Sequence, residues 1–276
     1  MSNVIDFRAR PNTEPFMGIY NSPDRDPWRK FRTARPPTES LPAYVSHLKA
    51  AGIAVGVFTG RQGVLAGSHP ISNDYIASCI DSNRDAIRGF GGIDPRNTAS
   101  AIAEIDRCVK VLGLSGIALD PPSALIGNGP TWDDEQLMFP IYERASDLGV
   151  PVVLTMGPIV GRHGSPIAVD RVAVAFPSLQ IVCSHGVWPQ TTELIALAFR
   201  RTNVVLETSI YIAYPGAASL IAEAANSIIP EQIVYASAYP FTPLEGIERF
   251  RKIGLTDSAL EAVCYGNAAR ILKMDA

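Results

Sequence analysis

The chain has 276 residues, 47% of them hydrophobic and 18% charged, with 22 Gly and 22 Pro. This composition excludes a disordered or collagen-like chain. A net charge of −3 leaves no global basic footprint for nucleic acid, and no apolar run approaches membrane-spanning length.

Short β-rich apolar runs recur along the chain, each followed by a helical pattern. Strands are predicted over residues 3–7, 54–59, 89–93, 116–119, 152–154, 180–183, 204–207 and 233–235. Helical periodicity lies between them, as at 41–51, 98–112, 134–148, 167–175, 191–200, 216–225 and 258–272. The strands are apolar on both faces, which implies a parallel sheet covered by helices. Eight of them in one chain of this length predict α/β, a single (β/α)8 TIM barrel over residues 1–276. The Pro- and Arg-rich segment 20–40 breaks the rhythm and is expected to form a loop or lid at the C-terminal face.

The opening stretch, "NVIDFRARPNT", sends two arginines, Arg8 and Arg10, from the end of the first strand. Strand alternation would place both on one face. Arginine dominates the cations, with 19 Arg against 5 Lys, and its planar fork suits carboxylate or phosphate. The four cysteines, Cys79, Cys108, Cys183 and Cys264, are dispersed without a C-x-x-C pair, as buried thiols would be. Asp6, Arg8 and Arg10 stand where a signal peptide needs an apolar run. A cytoplasmic protein is expected.

In a barrel of this kind the chemistry comes from the C-terminal ends of the strands. Those positions hold Arg8 and Arg10, Thr59 and Arg61, Asp94, Asp120, Thr155 and Met156, His185, Glu207 and Ser209, and Ser237 and Tyr239. Each also has a structural reading. Asp94 precedes Pro95 and could cap a helix, Asp120 could turn the chain or pair Arg8 or Arg10, and His185 could be a satisfied core histidine. His163, beside Arg162, is a weaker loop candidate, and His47 on the first helix is none.

The segments "IDFRAR", "GIALDPP", "PVVLTMG", "IVCSHGVWP", "ASAYPF" and "NAARIL", in that order, resemble the amidohydrolase superfamily, specifically its amidohydrolase-related (type 2) branch. Members of that branch begin with I-D-x-H-x-H, carry a further histidine after strand five and another after strand six, and place an aspartate after strand eight. The resemblance spans nearly the whole chain and implies the TIM barrel. Its departures concern the metal ligands: Arg8 and Arg10 replace two histidines, Thr155 a third, and Ala238 the aspartate, leaving His185. A single engineered exchange at Ala238 would not explain the other three. One histidine beside two guanidiniums offers no cage for a divalent metal, so neither a catalytic metal nor another cofactor is expected.

The resemblance then implies a metal-independent enzyme acting on a small carboxylated ring or lactone substrate. Catalysis is assigned to His185, Asp120 and Tyr239, with His185 as general acid or base. Substrate binding is assigned to Arg8, Arg10, Arg61, Thr155, Trp188, Glu207 and Ser237. Trp132, Trp188, Tyr239 and Phe241 are expected to form an apolar wall. Lactone hydrolysis is the first expectation, with decarboxylation or hydration of a ring acid as the alternative. A barrel that binds ligand without chemistry is the rival of another class. The expected partner is a small anionic substrate, with neither nucleic acid nor membrane, while a homo-oligomer stays open.

Overall fold

A computed structural model describes residues 4–20, 27–63, 65, 69–123, 128–214 and 216–274. Its strands are β1 (Val4–Asp6), β2 (Ile53–Thr59), β3 (Ile87–Ile93), β4 (Gly116–Leu119), β5 (Val152–Leu154), β6 (Ile181–Cys183), β7 (Val204–Glu207) and β8 (Ile233–Val234). They form one sheet in sequential order, and every neighbouring pair is parallel. The arrangement is α/β and consistent with a (β/α)8 barrel. A backbone hydrogen bond from Phe7 N to Tyr235 O, 2.9 Å, joins the residues just past β1 and β8.

All eight predicted strands form, with ends shifted by one or two residues; residue 3 lies outside the described residues. Alternation divides their side chains between two apolar layers. Ile5, Val55, Val153, Val182, Val205 and Val234 pack together with Ala268 and Ile271 of the last helix. Their neighbours in sequence, including Val4, Val152, Ile181 and Val204, join the layer shared with the surrounding helices. Strands flanked by apolar packing on both sides read as near-continuous apolar runs, which is why they were legible.

The helices differ more. Helix Asn73–Asp81, capped by the Ser72 side chain, follows β2 and was not among the predicted ones. The pattern at 134–148 becomes a helix only over Phe139–Asp147, because Pro140 lacks an N–H and suits the first turn. Just before it, the Asp134 carboxylate accepts from the Gln136 and Leu137 amides. Among the described residues no helix is long and apolar enough to cross a membrane. All four cysteines are buried and unbridged.

Candidate active site at the strand ends

β1 ends at Asp6, so strand alternation does not place the two arginines. The chain beyond it runs between two neighbours instead: Phe7 N donates to Tyr235 O, and Ala9 N donates to Val57 O at 3.0 Å. Arg8 and Arg10 are thereby carried into the interior, 3% and 7% exposed. Their environments differ. Arg8 Nη1 donates to Glu207 Oε2 at 3.2 Å, and Nη2 stands 3.5 Å from Thr155 Oγ1. Arg10 has no hydrogen bond or ion pair among the described residues, and its guanidinium lies 5.8 Å from the centre of the Phe241 ring. Burial and the neighbouring Arg8 lower the Arg10 guanidinium to about 10.

Asp120, read from the sequence as a turn residue or a partner of Arg8 or Arg10, pairs Arg61 instead. Arg61 Nη2 donates to Asp120 Oδ1 at 3.1 Å, and Nε stands 3.0 Å from Oδ2. The second contact is an ion contact without hydrogen-bond geometry, leaving Oδ2 without a hydrogen bond. Burial pulls the Arg61 guanidinium down, but Asp120 outweighs it and raises the net value. Thr155 Oγ1 donates to Asp120 Oδ1 at 2.9 Å. A chain of contacts therefore runs from Arg61 through Asp120, Thr155 and Arg8 to Glu207.

Arg61 reaches Asp120 because the ends of β2 and β3 approach closely. A Cβ on Gly92 would meet the carbonyl carbon of Gly60 at 2.4 Å. Asn73 holds the crossing: Gly92 N donates to its Oδ1 at 2.7 Å, and its Nδ2 donates to Gly92 O at 3.0 Å. Sequence reasoning missed Asn73, which opens a helix, since its partners Gly92 and Glu104 lie on a strand and a helix further along the chain.

Glu207 is fully buried, and Oε1 has no hydrogen-bond partner. Burial pushes its carboxyl up, against the opposing pull of Arg8 and Arg10. Asp6, also missed, is fully buried and accepts from Ser237 N at 2.9 Å, Ser237 Oγ at 2.5 Å and Arg8 N at 3.2 Å. Burial dominates there too and raises its carboxyl. Ser237, expected to bind substrate, is engaged by Asp6 and fastens the β8 end to β1.

His185 Nδ1 lies 2.8 Å from Ser209 Oγ. Burial, then the charges of Arg8, Arg10 and Arg61, hold the imidazole well below its ordinary value, so it is neutral at pH 7. His185, Ser209 and Ala238 all have left-handed backbone, with φ of 66, 53 and 58°. Non-glycine residues rarely adopt it, and such strain concentrates at functional sites.

Other expectations are not met by contact. The Tyr239 ring packs on Tyr44 with centroids 5.4 Å apart. Burial raises its phenol, with Glu39 and Glu245 as its charged neighbours rather than the arginines. Trp132 is fully buried and donates to His163 O at 2.6 Å, so it belongs to the core and not to a substrate wall. The His163 ring lies within hydrogen-bonding distance of Ser123 Oγ, Val160 O and Pro130 O, a structural role. Asp94 makes a forked pair with Arg96 and accepts its amide. Trp188 does join an apolar group near Phe241, stacking on Tyr214 at 4.6 Å.

The residues do not fit a divalent metal. Among the described residues no group of three or more His, Cys, Asp or Glu converges suitably. Three guanidiniums act on His185 electrostatically, where a cation would need several lone pairs.

A sheet with charged and hydrogen-bonding side chains gathered at its strand ends defines the class first: an α/β protein with a candidate active site at the C-terminal edge. The amidohydrolase family model Amidohydro_2 matches residues 6–274, and the chain belongs to that family. A TIM-barrel protein of uncharacterised function from Bordetella bronchiseptica is 30% identical, with TM-score 0.86 and 99% of each chain covered. Gamma-resorcylate decarboxylase from Polaromonas sp. is 21% identical over 252 residues, 74% of this chain and 76% of that protein. 2-Amino-3-carboxymuconate-6-semialdehyde decarboxylase from Dictyostelium discoideum is 35% identical over 94 residues, 34% of this chain. That match spans only 25% of the Dictyostelium protein.

Proposed function

We propose that this chain is a decarboxylase of a small ring carboxylic acid, working at a closed (β/α)8 barrel mouth without metal ligands. One observation carries the reading: among the described residues Arg10 is a buried cation with no ion pair or hydrogen bond of its own, while Arg8 and Arg61 each have a carboxylate in contact. A buried unpaired charge is costly, and an anionic ligand relieves the cost. The decarboxylases among the relatives support the reaction class. The Phe7–Tyr235 bond supports closure.

In this reading the bond from the ring carbon to the carboxylate breaks, and its electron pair stays on the ring. Arg10 stabilises the negative charge as it spreads onto a ring-borne oxygen. Glu207, ionised at rest in its pair with Arg8, takes up a proton from solvent when the anionic substrate adds its charge nearby, a change that burial favours, and delivers that proton to the ring carbon as carbon dioxide leaves. His185, neutral and oriented by Ser209, orients the substrate. Thr59, Arg61, Asp120 and Thr155 border a cavity of only about 10 Å³, the room of a single water. The substrate therefore enters when the aromatic group covering Arg10 opens. Trp28 and Tyr20 pack on Phe241, with centroids 5.8 and 5.2 Å away, so the segment from residue 27 onward is the lid. The other part of the expected lid, 21–26, lies outside the described residues.

A second reading, lactone hydrolysis, rests on the neutral His185. An imidazole free of its proton can activate water, with Arg10 on the developing oxyanion. A panel of ring acids and lactones separates the two, with carbon dioxide release read beside incorporation of labelled water. Carbon dioxide from a ring acid, lost in Arg10→Met and Glu207→Gln, is the expected result. Labelled acid from a lactone favours the second reading. Turnover of neither by folded protein refutes both and leaves a binding barrel.

A further inference from the structure

Two clefts lie beside the arginine cluster, of about 550 and about 200 Å³. They share Ile210, Ala213, Thr242 and Arg249 as lining, so they form one continuous groove. This is the size of a small-molecule site. Arg32 lines the outer part and Arg249 both parts, and neither has an ion pair or hydrogen bond through its side chain among the described residues. Among the described residues no carboxylate lines either cleft. Phe31 and Tyr214 add aromatic surface, and the Thr33 hydroxyl beside them is buried without a hydrogen-bond partner. The inner end is bounded by Ser209 and Ser237, the residues that hold His185 and Asp6.

We infer that this groove is a second anion site, distinct from the Arg10 site, and that it takes a small aromatic dianion. Two guanidiniums without an ion pair among the described residues match two carboxylates, each able to accept a fork of N–H donors. The aromatic walls match a flat ring between them. An occupant reaching the inner end would abut the hydroxyls that orient His185 and Asp6.

The test is calorimetric titration of isophthalate, benzoate and inorganic phosphate into wild type, Arg10→Met, Arg10→Met/Arg249→Met and Arg10→Met/Arg32→Met. Thermal melts confirm that each variant is folded. The Arg10→Met protein is expected to bind one isophthalate per chain, more tightly than benzoate. Adding either second change should weaken isophthalate on the order of 10-fold or more, one lost charge-assisted contact. Absence of isophthalate binding in Arg10→Met, or affinity indifferent to both Arg249 and Arg32, overturns the site. Phosphate binding as tightly as isophthalate overturns the aromatic class. Failure of the Arg10 reading is seen separately, as benzoate binding that survives Arg10→Met unchanged.

Discussion

Arg8 and Arg10 stand two residues apart in one buried segment, yet they belong to different regions. Arg8 lies in a linked network with Glu207, Thr155, Asp120 and Arg61, in which each guanidinium has a carboxylate. Arg10 lies in a corner made of Phe241 and other aromatic rings, with no carboxylate on its guanidinium. The same side chain is architecture in one region and an open binding group in the other. Counter-charge, and not burial, makes the difference.

Breaking the network should produce the largest effect. Arg8→Met strands the buried Glu207 carboxylate, and removing one partner of a buried pair typically costs about 3–5 kcal/mol. Chemical denaturation should show such a loss, whereas Arg10→Met should lose little or gain, because it removes a buried charge without stranding another. Equal losses in the two variants would abolish the distinction.

Ligand binding should reverse that order. Arg10→Met should weaken benzoate by about 10–150-fold, from a charge-assisted contact of roughly 1.5–3 kcal/mol. Arg10→Lys should recover only part, since an ammonium cannot fork. Full affinity in Arg10→Met would make the corner structural.

His185 lies where the regions meet, under the field of all three arginines. Its lowered pKa means that the folded protein refuses a proton which the unfolded chain accepts below about pH 6.5. The stability from its neutral form is therefore present above that pH and lost as pH falls, by up to about 1.4 kcal/mol per pH unit. Asp6 and Glu207, raised by burial, act in the opposite sense and are common to both proteins. The difference in Tm between wild type and His185→Asn, followed from pH 7 to 5, should isolate the histidine. Parallel curves would show an imidazole that is not held neutral.

The smallest effect concerns backbone strain in the corner. Ala238 has φ 58°, whereas Ala236, equally buried, is not among the left-handed residues. Ala238→Gly relieves a conformation costing about 1–2 kcal/mol and loses a methyl worth roughly 0.8 kcal/mol. It should leave Tm unchanged or slightly raised, while Ala236→Gly lowers it. A larger drop for Ala238→Gly would show that its methyl packing outweighs the strain.

Much of the architecture was legible. Eight apolar runs stood out because both faces of each strand are packed, and the strand-end residues could be named by counting from them. Arg8, Arg10, Arg61, Asp120, Thr155, Glu207 and His185 do come together. Trp132 misled because an aromatic in a loop beyond a strand looks alike whether it faces a site or the core. Asp6 and Asn73 escaped because their roles lie mainly in partners distant in sequence, Ser237 for the first and Gly92 and Glu104 for the second.

By itself the sequence determined the strands and their succession, the helical cover and the charged strand ends. Periodicity and residue identity are local properties and need no third dimension. The tertiary structure alone decided which arginine is neutralised. Glu207 comes to Arg8 from 199 residues away, and Asp120 to Arg61 from 59. Coulomb attraction depends on distance in space, and only the folded sheet sets those distances, leaving Arg10 buried with no ion pair among the described residues.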